Sequence, residues 1–365
     1  MSAPHFHELT IKRVNPEAAG SVAITFDIPP ESRQIFNFQC GQFLTLRANV
    51  GGEQLRRNYS VSSPRSRLAT LGELEIGIRP VEGGLFSNWA ATSLKVGDTI
   101  SVMPPDGRFT VRKQRAIHRV GFAAGSGITP ILSIAATTLE EQPESKFTLV
   151  YGNRHMSSVM FNETLQDMKD RYPDRLTLIH ILSRQAQEVD LLQGRIDGDK
   201  VRAIIAALLP VASMDEVFIC GPEAMIEATE AALVGAGVPQ NRVYTERFTS
   251  SAAVAAKVQA DTDAALNGNQ AAKDVSLSIL VDGKQHEMRI GADERVLDAA
   301  LNAGLDLPFS CKSGVCCTCR AKVLEGTVEM DKNFTLEASE MAQGFVLSCQ
   351  ARATSKRVVI SYDER

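Results

Sequence analysis

Four of the chain's seven cysteines lie within nine residues, in the stretch CKSGVCCTC that begins at Cys311. Cys311, Cys316 and Cys319 have the spacing C-x4-C-x2-C, and Cys349 follows in the segment LSCQ. Zinc sites usually have two paired knuckles, whereas only Cys316 and Cys319 form such a pair. Covalent haem needs a histidine directly after C-x2-C, and Arg320 stands there instead. We therefore predict that Cys311, Cys316, Cys319 and Cys349 bind a [2Fe–2S] cluster.

The residues around these cysteines predict a small α+β domain. VDGK, residues 281–284, predicts a hairpin turn between two short strands, and residues 294–304 have helical periodicity and end on a glycine. Residues 275–365 thus resemble a complete plant-type ferredoxin domain of β-grasp fold. Cys317 departs from that resemblance, since such ferredoxins usually have a smaller residue there. We expect it to ligate nothing; a substitute ligand or an oxidation-sensitive thiol is the alternative.

Composition limits the classes of function. The chain has 365 residues, enough for two or three domains, with 44% hydrophobic and 22% charged residues. A net charge of −4 gives no reason to expect nucleic acid or an anionic membrane as partner. Residues 120–139 carry no charge, but three glycines and a proline favour a buried strand, turn and helix over a membrane span. The N-terminus lacks a signal peptide's apolar core, so we expect a cytoplasmic protein without disulfides.

The pattern upstream of the cysteines changes twice. Residues 1–112 contain short alternating runs separated by turns, which predict an antiparallel β-barrel or sandwich. Residues 113–248 alternate buried strands with helices, which predicts a doubly wound parallel α/β sheet. Residues 249–274 are rich in Ala, Ser, Asn and Asp, which predicts a linker.

This order of features resembles the ferredoxin–NADP reductase superfamily, and more narrowly the reductases of bacterial multicomponent oxygenases. The likeness runs nearly end to end, through RRNYS, PVEGGLFS, GSGITP, YGNR, GRIDG, FICGP, ERF and FVLSCQ. It implies an enzyme that passes electrons from NADPH to FAD, then to the [2Fe–2S] cluster, then to an oxygenase. FAD is needed because NADPH delivers two electrons as hydride, while the cluster accepts one at a time.

The superfamily holds its flavin with an R-x-Y-S motif, which here is Arg57-Asn58-Tyr59-Ser60. An arginine suits a phosphate because its planar fork donates paired hydrogen bonds. The resemblance implies that Tyr59 stacks on the flavin ring and that Ser60 lies near N5, the atom that accepts hydride.

The segment GGLFS resembles the family's second flavin-binding element. In it, Gly83, Gly84 and Ser87 would bind a pyrophosphate at a helix start. This favours FAD over FMN, since FMN has only one phosphate. Cys40 stands where the family commonly has a proline, and we expect only a small packing difference from it.

The predicted nicotinamide-nucleotide site lies at strand ends. Its candidates are Gly125, Gly127, Thr129, Arg154, Ser183, Arg184, Cys220, Gly221 and Pro222. The glycine run GSG alone is weak support, because a tight strand–helix turn also uses glycines. An acidic residue after the third strand would bind ribose hydroxyls, whereas Ser183 and Arg184 there favour the 2′-phosphate of NADPH. Two of these candidates have an alternative role: Cys220 could be a core residue without contact to the nucleotide, and Arg154 could be a solvent-exposed cation.

Glu246-Arg247-Phe248 closes the nucleotide domain, and in similar reductases this element lies beside the flavin. Ser60, Cys220 and Glu246 are the candidate catalytic residues. Phe248 would either shield the flavin ring or anchor the linker.

The acceptor of the electrons is a separate protein. A carboxylate-bridged di-iron centre needs Glu-x-x-His, which occurs nowhere in the chain. The resemblance implies as partner a di-iron oxygenase that epoxidises the ring of phenylacetyl-CoA. The alternatives are a ring-hydroxylating dioxygenase or a steroid hydroxylase as acceptor and, in a different class, a redox sensor, for which no regulatory module is visible.

Overall fold

The structure is a computed structural model that describes residues 5–112, 117–248 and 275–364. It contains two compact units. The larger comprises Glu8–Leu55 and Tyr59–Phe248, and the smaller contains the C-terminal residues from Val275 onward. The linker predicted at residues 249–274 lies outside the described residues.

The first half of the larger unit is a curled antiparallel sheet. Its strands are β1 (His7–Pro16), β2 (Val22–Asp27), β3 (Phe43–Val50), β4 (Glu53–Ser60), β5 (Glu73–Ile78) and β6 (Thr99–Val102), in the order β4-β3-β6-β1-β2-β5. A bridge between Val61, just after β4, and Ile76 on β5 joins the two edges of the sheet. This closure confirms the predicted barrel-like fold. Two helices, α1 (Arg65–Leu71) and α2 (Leu85–Ser93), follow β4 and β5.

The second half of the larger unit is a parallel sheet covered by helices. Its strands are β7 (His118–Ala124), β8 (Lys146–Asn153), β9 (Leu176–Leu182), β10 (Glu216–Gly221) and β11 (Val243–Arg247), in the order β11-β10-β7-β8-β9. The helices are α3 (Ile128–Glu141), α4 (Asn162–Arg171), α5 (Gly198–Ala207) and α6 (Glu223–Gly235). All four neighbouring strand pairs are parallel, which confirms the predicted doubly wound fold. The strand order reverses between β7 and β10, where such sheets bind nucleotides.

The uncharged stretch of residues 120–139 forms most of β7, a glycine turn and most of α3, as predicted. Among the described residues, no helix combines the length and the apolar character that a membrane span requires.

The smaller unit is a mixed sheet packed against one helix. Its elements are β12 (Val275–Val281), β13 (Lys284–Ile290), α7 (Val296–Asn302), β14 (Arg320–Glu325), β15 (Val328–Met330), α8 (Ala338–Ala342), β16 (Phe345–Leu347), β17 (Ala351–Ala353) and β18 (Arg357–Ser361). The sheet order is β13-β12-β18-β14-β16, with β12 and β18 parallel. Asp282 and Gly283 have positive φ at the predicted hairpin turn, as a tight two-residue turn requires.

A buried ion pair joins β7 to β10 near their first residues. Arg119 Nε donates to Glu216 Oε2 at 2.9 Å, and both side chains are 0% exposed. The guanidinium also donates to Thr138 on α3 and to Gln142 just after it. The pair therefore fixes one helix and two strands to each other at the edge opposite the strand ends that carry the predicted nucleotide site.

Replacing Arg119 should destabilise this sheet strongly. Arg119→Met leaves the Glu216 carboxylate buried without its cation, which costs about 3–5 kcal/mol. We expect a lower unfolding temperature for the larger unit by calorimetry. The double variant Arg119→Met/Glu216→Leu should recover most of the loss, because a buried apolar pair needs no charge partner. An unchanged unfolding temperature in the single variant would contradict this account.

Candidate functional site

The four predicted cluster ligands come from two segments of the smaller unit. Cys311, Cys316 and Cys319 lie on the irregular loop between α7 and β14, and Cys349 lies between β16 and β17. The thiols lie in two interacting pairs, Cys311 with Cys316 and Cys319 with Cys349. Hydrogen bonds from Cys316 and from Ser313 lower the pKa of Cys311, which favours its thiolate form.

Backbone N–H groups of the same loop point at the sulfurs. Ser313 N donates to Cys311 Sγ at 3.3 Å, and Gly314 N donates to Cys349. Positive φ at Lys312, Gly314 and Cys317 winds the loop so that these donors face inward. No three of the His, Cys, Asp and Glu side chains in the described ranges are grouped around a single metal ion. Four thiols in two pairs instead suit two irons, so the donor set fits a [2Fe–2S] cluster.

Cys317, the remaining cysteine of the loop, forms a hydrogen bond with a threonine. Its Sγ donates to Thr335 Oγ1 at 3.0 Å, and the residue is 8% exposed. Its φ of 57° is a left-handed conformation that favours glycine, which accounts for the smaller residues usual at this position. The structure thus supports the interpretation of a filler, and Cys317 as a non-ligand stays a prediction.

The R-x-Y-S residues lie at the carboxyl end of β4. The Tyr59 ring is 5.9 Å from the Phe86 ring of α2, and Ser60 is 2% exposed. Arg57 Nη1 donates to the Arg56 carbonyl oxygen at 2.8 Å, and Asn58 is half-buried. The four residues thus lie together at one strand end, and their role in flavin binding stays a prediction.

The predicted second flavin element is a glycine cradle, Gly83 and Gly84, directly before α2. Gly83 has φ 71°, and a Cβ on Gly84 would lie 2.5 Å from Val81 Cγ2 and 2.7 Å from Ser87 Oγ. Ser87 Oγ accepts a hydrogen bond from Val81 N at 3.3 Å, so its own hydrogen can be donated elsewhere. Together with the free N–H groups at the start of α2, this geometry fits a pyrophosphate.

Ser60, Cys220 and Glu246, distant in sequence, come together in the larger unit. Ser60 Oγ donates to Glu246 Oε2 at 3.2 Å. Cys220 on β10 and Glu246 on β11 are neighbours in the parallel register. Burial raises the pKa of Glu246 to about 8, and burial together with the nearby Glu246 raises the pKa of Cys220. Both shifts favour the protonated forms of this carboxyl and this thiol, which lie beside the Ser60 hydroxyl.

The glycine turn after β7 contacts the end of β10 directly. A Cβ on Gly127 would lie 2.1 Å from the Cys220 carbonyl oxygen, so only glycine fits. Tyr151 donates to the Gly125 carbonyl oxygen at 2.9 Å, and Thr129 Oγ1 donates to Ser126 O at 3.1 Å. The turn therefore lies at the sheet's switch point. Gly221 ends β10 and Pro222 caps α6 beside it.

Arg154 and Arg184 lie side by side at the carboxyl ends of β8 and β9. Ser183 N donates to Asn153 O and Arg184 N donates to Arg154 O, both at 2.9 Å. Both arginines are exposed, and within the described part of the chain neither has a salt bridge. Two cations without a carboxylate partner suit an anionic group of a ligand.

The contacts of two residues were not predicted from the sequence. Asn88 holds the flavin cradle by donating to Val81 O and Gly84 O, and Gln350 donates to Cys349 Sγ at 3.3 Å. The only sequence signal for Gln350 is its place directly after a ligand cysteine. Phe248 is 41% exposed at the end of the larger unit, so both of its proposed roles stay open.

A parallel nucleotide sheet, a curled flavin-type sheet and a four-cysteine loop define a pyridine-nucleotide-dependent electron-transfer reductase. The sequence matches three domain families in this order: the oxidoreductase FAD-binding domain over residues 11–111, the oxidoreductase NAD-binding domain over 122–231, and the 2Fe-2S iron-sulfur cluster binding domain over 279–354. The chain is therefore an oxidoreductase with FAD, nicotinamide-nucleotide and [2Fe–2S] domains.

Proteins of similar sequence define the family of this chain more narrowly. The chain is 43% identical to one of the subunits of 1,2-phenylacetyl-CoA epoxidase of Escherichia coli (strain K12), over 99% of this chain and 98% of the relative. It is 34% identical to the ferredoxin reductase component of 3-ketosteroid-9-alpha-monooxygenase of Rhodococcus rhodochrous, over 97% of this chain and 96% of the relative. The chain belongs to this family of oxygenase reductases.

Solved structures have the same fold. Phthalate dioxygenase reductase matches with a TM-score of 0.59 at 21% identity, over 98% of both chains. An intact type IV self-sufficient cytochrome P450 monooxygenase matches with a TM-score of 0.66 at 20% identity, over 98% of this chain and 41% of that one. The chain thus spans less than half of that larger protein.

Glu246 should make stability depend on pH. Its ordinary pKa of 4.5 rises to about 8 on folding, so the folded state keeps a proton that the unfolded state releases. The stabilisation is complete below pH 4.5 and is lost as the pH rises through 8. We expect the unfolding temperature of the FAD-loaded protein to fall from about pH 6 to about pH 9 more steeply than that of Glu246→Gln. Glu227→Gln, at an exposed glutamate on α6, should keep the wild-type slope; equal slopes in all three would contradict the shift.

Proposed function

We propose that this chain transfers electrons from NADPH through FAD and the [2Fe–2S] cluster to a di-iron oxygenase that epoxidises the ring of phenylacetyl-CoA. The observation that carries the choice of acceptor is the 43% identity, over almost the whole of both chains, to a component of the phenylacetyl-CoA epoxidase. A second candidate acceptor is a steroid monooxygenase, favoured by relatives that are 34% identical over equally long alignments.

We divide the chain into four functional segments: the FAD-binding barrel at 1–112, the nucleotide sheet at 113–248, a linker at 249–274 and the ferredoxin domain at 275–365. The matched domain families lie inside three of these ranges. The division of labour follows from electron count. FAD, when bound, would supply the conversion of a two-electron hydride into single electrons, and the protein supplies binding and orientation.

Each proposed site residue has a task in that transfer. Arg57 and the Gly83–Gly84 cradle bind the phosphates of FAD, and Tyr59 supports the ring system. Ser60, held by Glu246, presents a hydroxyl where the hydride arrives. The neutral Glu246 carboxyl holds a proton beside that hydroxyl, and buried Cys220 excludes water from the same face. Phe248 would either cover the site or anchor the linker.

We assign the 2′-phosphate of NADPH to Ser183, Arg184 and Arg154. The two arginine backbones are hydrogen-bonded to each other at 2.9 Å, which places both guanidinium groups at one edge of the sheet. An arginine fork binds a phosphate better than a ribose hydroxyl, so the pair favours NADPH over NADH.

Removing one of these cations should change cofactor preference. A charge-assisted hydrogen bond of this kind contributes roughly 1.5–3 kcal/mol. Arg184→Ala should therefore raise KM for NADPH about 10- to 150-fold and leave KM for NADH nearly unchanged. Steady-state reduction of ferricyanide measures both constants. Arg171→Ala, at an exposed arginine ending α4, is the control, and equal losses with both nucleotides would assign Arg184 a structural role.

The cluster should be needed only for the last step. Cys349→Ser replaces a thiolate with a poor, hard ligand, so it should lose the cluster's absorbance and paramagnetic signal. NADPH-dependent ferricyanide reduction should persist, while epoxidation of phenylacetyl-CoA with the di-iron oxygenase should stop. Cys317→Ala, at the predicted non-ligand, should keep both activities.

Product formation identifies the acceptor. Wild-type protein should support the phenylacetyl-CoA epoxidase well above a ketosteroid monooxygenase under the same conditions. The reverse order would favour the second candidate. Full epoxidation by Cys349→Ser would make the flavin the direct donor.

A further inference from the structure

Gln350 lies directly after the fourth ligand cysteine and is 2% exposed. Its side-chain Nε2 is 3.0 Å from the Lys312 carbonyl oxygen, 2.9 Å from the Cys349 carbonyl oxygen and 3.3 Å from Cys349 Sγ. One amide group therefore touches both segments that carry cluster ligands. The amide has two N–H groups and three acceptors, so one N–H group is shared between two acceptors.

The orientation of this amide is determined by its surroundings. An amide oxygen and nitrogen look alike in shape, but two carbonyl oxygens can only be matched by the N–H groups. The stem of Gln350 is also confined, since a Cβ on Gly314 would lie 3.3 Å from Gln350 Cγ and 3.1 Å from Lys332 O. Gly314 N donates to the same Cys349 sulfur. The sulfur of Cys349 thus faces donors from a buried side chain and from the ligand loop.

We propose that Gln350 is a positioning residue that tunes the cluster, by holding an amide N–H against the Cys349 sulfur and so favouring the reduced state. The added electron increases the negative charge on the sulfur ligands, and a hydrogen-bond donor stabilises this charge more after reduction than before. Because the donor is buried, water does not weaken the interaction. Gln350 thereby makes the cluster a better acceptor for electrons from the flavin.

The proposal needs the cluster domain and is independent of which oxygenase receives the electron. Gln350→Met in the full-length, FAD-loaded protein removes the donor at nearly constant volume and adds no charge. We expect the equilibrium constant for cluster reduction to fall about two- to tenfold, which lowers the midpoint potential by roughly 20–60 mV at about 59 mV per tenfold. Potentiometric titration followed by electron paramagnetic resonance measures this potential.

Controls separate tuning from a structural role. Gln343→Met, at an exposed glutamine just after α8, should leave the potential unchanged. The flavin potential and NADPH-dependent ferricyanide reduction should stay at the wild-type level in both variants. A Gln350→Met protein with full iron and sulfide content and an unmoved potential would overturn the proposal. That result would leave the oxygenase assignment intact, because epoxidation by the wild type tests it separately.

A second measurement decides the case if the variant fails to retain its cluster. Wild-type protein labelled with ¹⁵N in glutamine side chains should show one hyperfine-coupled amide nitrogen in pulsed paramagnetic resonance of the reduced cluster. Absence of any side-chain amide coupling would show that the N–H does not bind the sulfur, and the proposal would fail.

Discussion

The turn after β7 approaches the end of β10 so closely that a methyl group on Gly127 would lie 2.1 Å from the Cys220 carbonyl oxygen. The arrangement of the predicted flavin and nicotinamide residues at this end of the sheet depends on this contact. It fixes the switch point of the parallel sheet, and the register of β10 with β11 then places Glu246 next to Cys220. Ser60, which comes from the curled sheet, binds that carboxyl at 3.2 Å. Two sheets of different architecture therefore meet at one polar cluster.

The smaller unit also brings residues from separate segments together, but it does so with a loop rather than with the edge of a sheet. Its ligand loop must bring three thiols to the fourth, that of Cys349, while keeping N–H groups aimed at the sulfurs. Left-handed backbone at Lys312, Gly314 and Cys317 supplies the curvature, and Gln350 connects the loop to the segment of the fourth cysteine. In both units a close backbone approach and a few buried donors create the site, and the surrounding sheets hold it rigid.

Much of this could be predicted from the sequence, because the signals are local. The C-x4-C-x2-C spacing, the glycine runs after strands and the alternation of strands with helices each lie within one short segment. The contacts that shape the sites connect residues far apart in the chain. Nothing near Ser60 indicates that Glu246 accepts its hydrogen bond, and nothing near Arg119 indicates that Glu216 neutralises it. Only the packed fold determines such pairs, which is why Gln350 and Asn88 were missed.

The position of β18 has a consequence for how the protein is made. This strand is the last element of the described chain, yet it lies in the middle of its sheet, between β12 and β14. A ribosome therefore adds all four ligand cysteines to the chain before it synthesises the strand that completes their domain. The ligand loop stays without its supporting sheet during that interval, so iron and sulfide can be fixed in a finished site only after synthesis has passed residue 361.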